Sequence, residues 1–143
     1  IDINVNTALT NGNLNFTVVR NPYDRFISMY KDFGLRRPFK PFRNQPAPTV
    51  DDFIKEVIIP FDNNATANIH VRQQSYFVTD EKNNLLIDKF VYIEHLQDFF
   101  SIYNIQSRAY NKTQDIDIVL TDKQKEIIYN KYKIDFDIFK FKP

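Results

Sequence analysis

The chain has 143 residues, 43% of them hydrophobic and 15% aromatic, and its 19 basic and 18 acidic side chains leave a net charge of +1. That length suits one domain burying roughly two-thirds of its unfolded surface, and the near-neutral balance argues against nucleic acid or another polyanion as a bulk partner. With no Cys, and with His70 and His95 as the only histidines, disulfides and cysteine metal sites are excluded and no metal is expected.

No apolar run approaches the ~20 residues of a spanning helix, and no basic-then-apolar signal segment opens the chain. The only Met is Met29, so Ile1 is expected to lie inside a longer or processed product. Glycine stands only at positions 12 and 34. A phosphate-cradling loop needs several glycines close together, so neither a Walker loop nor a dinucleotide fingerprint is present.

Along the chain, Asn11-Gly12 is a turn signal. Phe16 to Val19 is a short apolar run rich in β-branched residues and is expected to be a buried strand. Arg20 ends it. Asn21-Pro22 then opens a helix to about Phe33, with Asn as N-cap, Pro at the first helical position and Asp24 in the first turn. Tyr23, Phe26, Ile27, Met29, Tyr30 and Phe33 form its apolar face; Asn21, Asp24, Arg25, Ser28 and Asp32 form the polar one. Gly34 is the expected stop. Arg36 to Arg43, with Pro46 and Pro48 beyond, is a basic, proline-rich loop.

Thr49 caps a second helix, Val50 to Ile59, which Pro60 ends. A polar loop to about Asn68 follows, and His70 to Thr79 fits no single element. Asp80 to Asn84 is a turn, Leu85 to Asp88 a short strand and Lys89 to Ile93 another. Glu94 to Asn104 is a helix with Leu96, Phe99, Phe100 and Tyr103 inward. Thr121 and Gln124 form a capping box that opens a last helix to about Tyr132, and a Phe- and Asp-rich tail closes the chain. Strands alternating with helices predict an α/β fold with a mainly parallel sheet flanked by helices.

The informative unit is the strand, Arg20, Asn21-Pro22 and the helix. A helix start after a strand offers free N–H groups and a partial positive charge, which together attract an anion. Arg20 adds a guanidinium fork suited to phosphate. Ser28 lies roughly 10 Å along the axis from the cap, on the polar face. The residues alone equally allow a carboxylate partner for Arg20 and a merely solvated Ser28.

The segment Phe16-Thr17-Val18-Val19-Arg20-Asn21-Pro22-Tyr23-Asp24-Arg25-Phe26-Ile27-Ser28-Met29-Tyr30 resembles the 3'-phosphate motif of the carbohydrate sulfotransferases, F-x-F-V-R-N-P-Y-D-R-L-x-S-x-Y. His70-Val71-Arg72-Gln73-Gln74 is similar to their H-W-R-P-Q, with Val71 in place of Trp and Gln73 in place of Pro. Asp88 to Phe99 resembles D-F-V-G-R-F-E-N-L-x-x-D-F. Asn111-Lys112-Thr113 resembles N-K-S, and Asp135 to Phe139 the closing D-F-E-L-F. The likeness runs from about residue 14 to the C-terminus.

The resemblance implies the sulfotransferase variant of the P-loop NTPase-like fold. It implies 3'-phosphoadenosine 5'-phosphosulfate (PAPS) as donor, bound by Arg20 and Ser28 through its 3'-phosphate, and a carbohydrate or other hydroxyl acceptor. The family's K-x-G-x-T/S loop for the 5'-phosphosulfate has no counterpart here, so the first strand and its P-loop are expected to be missing from this chain. The expectation is one sulfotransferase domain over residues 1–143, the C-terminal portion carrying the 3'-phosphate half. A degenerate, non-catalytic nucleotide-binding module is the alternative.

Weaker candidates complete the reading. His70 is a candidate general base, against a structural hydrogen bond. Arg72 is a candidate ligand of donor or acceptor anions, against an internal ion pair. Arg36, Arg37, Lys40 and Arg43, interleaved with Phe39 and Phe42, are candidates for holding an anionic sugar chain, against an ordinary solvated loop. His95 carries no assigned role, and the N-x-Thr triplets at Asn15, Asn64 and Asn111 carry no weight in an Asn-rich chain. The expected compartment is the Golgi lumen for an animal-like enzyme and the cytoplasm for a microbial or viral one; the sequence does not fix the oligomeric state.

Overall fold

The computed structural model describes residues 14–38, 42–61, 68–106 and 116–143. In chain order its elements are strand β1 (Phe16–Val19), helix α1 (Pro22–Met29) continued by wide turns over Tyr30–Arg36, and helix α2 (Val50–Phe53) continued likewise over Ile54–Ile58. Then come a 3-10 turn at Ser75–Phe77, strand β2 (Lys89–Tyr92), a 3-10 turn at Ile93–His95, helix α3 (Leu96–Ile102) and helix α4 (Asp122–Ile138). The chain divides into two units, one of residues 1–20 and 74–110, the other of residues 21–73 and 111–143. The expected turn at Asn11-Gly12 and the segment Asn111-Lys112-Thr113 lie outside the described residues.

In the first unit β1 and β2 pair in parallel, from Phe16 opposite Lys89 to Val19 opposite Tyr92. The Asn15 carbonyl leads in, accepting from the N–H groups of Asp88 at 2.9 Å and Lys89 at 3.2 Å. The expected burial of β1 holds only at its end: Val19 is 1% exposed, whereas Phe16 and Val18 are each 37% exposed. Each strand has one neighbour among the described residues, and full burial of a parallel strand requires cover on both faces. Phe16 still meets the buried Phe99 of α3, ring centroids 4.7 Å apart.

Leu85 to Asp88 is not a strand. Leu85 makes a single antiparallel bridge to Thr79, closing a turn whose Asp80 carboxylate accepts from the N–H groups of Lys82 at 2.8 Å and Asn84 at 2.9 Å. Within the segment itself the Leu86 N–H donates to the Val78 carbonyl at 2.8 Å and the Asp88 N–H to the Asn15 carbonyl at 2.9 Å, so its donors go to different partners rather than to one strand. At the end of α3, Asn104 adopts φ 53, and the Ile105 N–H donates to the Phe100 carbonyl at 2.8 Å, a Schellman stop close to the expected boundary.

In the second unit α1 starts as expected, with the Asn21 side chain accepting from the Tyr23 N–H and Pro22 in the first helical position. It does not stop at Gly34. The turns widen, so that the Arg37 N–H reaches back five residues to the Asp32 carbonyl at 2.7 Å, and Arg36 belongs to this helix rather than to the basic loop. Gly34 serves close packing instead: a Cβ there would lie 3.0 Å from a Tyr30 ring carbon and 3.3 Å from one of Phe53.

Helix α2 has the Thr49–Asp52 capping box and widens too, its Ile59 N–H donating to the Ile54 carbonyl at 2.9 Å. Helix α4 has the expected Thr121–Gln124 box. At Tyr132, where the sequence expects an end, the backbone departs from helical geometry (φ −112, ψ 21), yet the helix goes on to Ile138. The tail is held in because Asp135, Phe136 and Phe139 are all buried. The core of this unit joins Phe26, Tyr30, Phe53, Ile58, Ile128 and Tyr132, among others.

Candidate functional site

Arg20 stands where β1 leaves the ladder. Its backbone is held on both sides by one side chain: the Arg20 N–H donates to Gln74 Oε1 at 2.9 Å, and the Arg20 carbonyl accepts from Gln74 Nε2 at 2.8 Å. The guanidinium has no ion-pair partner among the described residues. The carboxylate partner that the sequence allowed for Arg20 is therefore not found there.

In the second unit, Ser28 is half-buried on α1, and its hydroxyl has no hydrogen-bond partner among the described residues. In the first turn of α1 the Asn21 side chain takes up the Tyr23 N–H at 2.9 Å, and Asp24 is exposed. A cavity of about 310 Å³ opens beside this turn, between Tyr23, Asp24 and Ile27 on one side and Ile118, Leu120 and Lys125 on the other. It was not foreseen, because it depends on an irregular segment before α4.

Arg25, placed on the polar face by periodicity, does not point to open solvent. Its Nη2 donates to the His70 carbonyl at 3.0 Å, and its guanidinium carbon lies 5.8 Å from the centre of the Tyr132 ring. Burial lowers its pKa, against the opposing pull of Tyr132 and Asp135. Burial pushes the Tyr132 hydroxyl well above the ordinary tyrosine range, with Asp135 adding to the rise and Arg25 opposing it. The Tyr132 hydroxyl donates to the Val71 carbonyl at 2.6 Å. Gln73 Nε2 donates to the Lys131 carbonyl at 3.1 Å. Three side chains thus pin residues 70–73, a stretch with no ladder of its own.

His70 is exposed on that stretch, its ring 4.6 Å from Phe33, and its N–H donates to Asn68 Oδ1 at 2.9 Å. Arg72 is half-buried and engaged within the fold. Arg36 is paired with Asp32 at 3.5 Å, while Arg37 and Arg43 are exposed. Phe42 is not open to a sugar ring: it is buried, stacked on Phe53 at 5.8 Å. Lys40 and Phe39, and Asn64 and Asn111, lie outside the described residues. Sequence reasoning missed roles for Gln74 and Arg25, although both lie within the motif segments themselves.

A family model described as the sulfotransferase family matches residues 3–142, so the chain belongs to the sulfotransferase family. No curated protein and no solved structure in the comparisons matches it. The α/β arrangement, a two-stranded parallel sheet with helices, is compatible with that membership. The described residues hold no group of three or more His, Asp or Glu side chains able to bind a metal, and no helix among them is long and apolar enough to cross a membrane.

Proposed function

We propose that this chain carries the 3'-phosphate-binding half of a PAPS-dependent sulfotransferase acting on a hydroxyl of a carbohydrate. Sulfotransferases typically use PAPS, and the family match supports sulfuryl transfer to a hydroxyl-bearing acceptor. The observation that carries the finer reading is Arg20. Its backbone is fixed at the strand end while its guanidinium is left unpaired among the described residues. A fork of five donors with no internal carboxylate suits a phosphate.

In this reading Arg20 and Ser28 bind the 3'-phosphate, and the helix start adds its partial positive charge. PAPS supplies an activated sulfuryl group; the residues of this chain bind and orient it. His70 is the proposed acceptor of the hydroxyl proton, since its ring is exposed and histidine is the side chain most often used as a general base. Arg72, and the exposed Arg36 and Arg37 with Lys40, are proposed contacts for anionic groups of donor or acceptor. A binding-only module is the second reading, favoured by Gly34, one of just two glycines in the chain, lying packed inside a helix rather than in a phosphate loop.

Calorimetry or NMR titration with adenosine 3',5'-bisphosphate tests the proposal. Hydrogen bonds to charged groups contribute about 1.5–3 kcal/mol each, so Arg20→Ala weakens binding at least ~10-fold and Ser28→Ala less. Adenosine 5'-phosphate, lacking the 3' group, is expected to be indifferent to both substitutions. Equal losses for the two nucleotides would reject the 3'-phosphate role.

A further inference from the structure

The clamp on Arg20 has a chemistry of its own. The β1–β2 ladder ends with Val19 opposite Tyr92, so the next peptide groups lose their strand partner. Backbone N–H and C=O groups away from water require partners. A glutamine carboxamide carries one acceptor and one donor group on the same plane, as a peptide does. Gln74 presents that group to Arg20 and bonds both its N–H, at 2.9 Å, and its C=O, at 2.8 Å. Two bonds to one residue from one planar group restrict the direction in which the Arg20 side chain leaves the backbone.

Gln74 is itself anchored. It opens the 3-10 turn Ser75–Phe77, with its carbonyl accepting from the Phe77 N–H at 3.3 Å. Ser75 beside it is 2% exposed, and its carbonyl accepts from Thr79 Oγ1 at 2.8 Å. The carboxamide therefore projects from a fixed backbone, and a preorganised donor loses little freedom when its target binds.

We propose that Gln74 is a positioning residue for nucleotide binding, acting through Arg20 by replacing the missing strand neighbour. This rests on the reading of Arg20 as a 3'-phosphate ligand. Gln74 touches no nucleotide in this proposal. Its effect on affinity runs only through the aim of the arginine.

The test compares wild type, Gln74→Ala, Gln74→Met (which keeps the volume of the stem), Arg20→Ala and the Arg20→Ala/Gln74→Met double variant, titrated with adenosine 3',5'-bisphosphate and adenosine 5'-phosphate. Both Gln74 variants are expected to lose about fivefold to tenfold in bisphosphate affinity, the scale of one or two net hydrogen bonds, with 5'-phosphate affinity unchanged. The double variant should match Arg20→Ala within about twofold, because groups that act through one another are not additive.

If Arg20→Ala weakens the bisphosphate but the Gln74 variants do not, the positioning role alone is overturned. If Arg20→Ala has no effect, the 3'-phosphate reading falls and the positioning role with it. Additive losses in the double variant would mean that Gln74 acts elsewhere. Loss of fold in both Gln74 variants would also overturn the proposal, since it assigns Gln74 a role on a fold that stands without it.

Discussion

Tyr132→Phe isolates one bond at the centre of the second unit. Tyr132 is 1% exposed, and its hydroxyl donates to the carbonyl of Val71, a residue 4% exposed, at 2.6 Å. Phenylalanine fills the same ring volume, so no cavity opens, and the contact with Arg25 above the ring is retained. What is lost is the hydrogen bond, and what remains is a buried carbonyl without that donor. A buried acceptor left unsatisfied costs about 1–3 kcal/mol, so the variant is expected to lose roughly 2 kcal/mol. Urea unfolding should show a lower midpoint with an unchanged slope, since the surface exposed on unfolding is the same. Tyr129→Phe is the control: that residue is half-buried, and its hydroxyl has no hydrogen-bond partner among the described residues. A Tyr132→Phe loss within about 0.5 kcal/mol of the control, the usual range for changes away from special features, would refute the claim that this bond pins residues 70–73.

Two further expectations follow from the same unit. Gly34→Ala places a methyl 3.0 Å from the Tyr30 ring and 3.3 Å from that of Phe53, and Tyr30 is tethered by its hydroxyl to the Pro48 carbonyl at 2.7 Å. Overpacking of about 1–3 kcal/mol should outweigh the gain of up to ~1 kcal/mol in helix propensity, so chemical denaturation should show a net loss; a gain would show that the rings can move aside. In alkali, burial raises the folded-state pKa of Tyr132, and of Tyr23 and Tyr30 in the same direction. Their contribution is complete below the unfolded tyrosine value and is lost as pH rises toward the folded one. Between about pH 7 and 9 stability should therefore be flat, and above ~10 it should fall, with Tyr132→Phe removing about 1.4 kcal/mol per pH unit from that decline; parallel declines in wild type and variant, from urea curves across this range, would contradict the assignment.

What the sequence made legible was local. Asn21-Pro22, Thr49 and Thr121 with Gln124 marked three helix starts, because a cap is a chemical event among neighbours along the chain. The parallel strands were legible as short apolar runs. Helix ends were harder to read. Gly34 looked like a stop, but its meaning lies in Phe53, a residue far along the chain. The last helix was expected to end at about Tyr132, before a Phe- and Asp-rich tail, yet Asp135 in that tail is 0% exposed and its charge acts on Arg25 and Tyr132. Arg20 and Ser28 were given roles from the motif, while Gln74 was given none, because its bonds to Arg20 are to backbone. A side chain that bonds main-chain atoms leaves no charge pattern or periodicity to find.

The same logic explains why His70 to Thr79 fitted no element. Regular structure satisfies its own peptide groups, and this stretch hands part of that task to side chains elsewhere. Arg25 takes the His70 carbonyl and Tyr132 the Val71 carbonyl. A guanidinium used in this way is partly desolvated, which disfavours its charge. The Tyr132 ring face and the field of the Asp135 carboxylate offset part of that cost. The arrangement fixes backbone and leaves His70 as the exposed side chain of residues 70–73. If His70 were there only to brace the fold, its ring rather than its carbonyl would be expected to hold the polar contacts. Instead its backbone is braced by Arg25 and Asn68, and its imidazole rests against Phe33. A fixed irregular segment presenting a titratable ring is the form in which loops carry chemistry on a rigid scaffold, and that is the physical ground for keeping His70 as the proposed base.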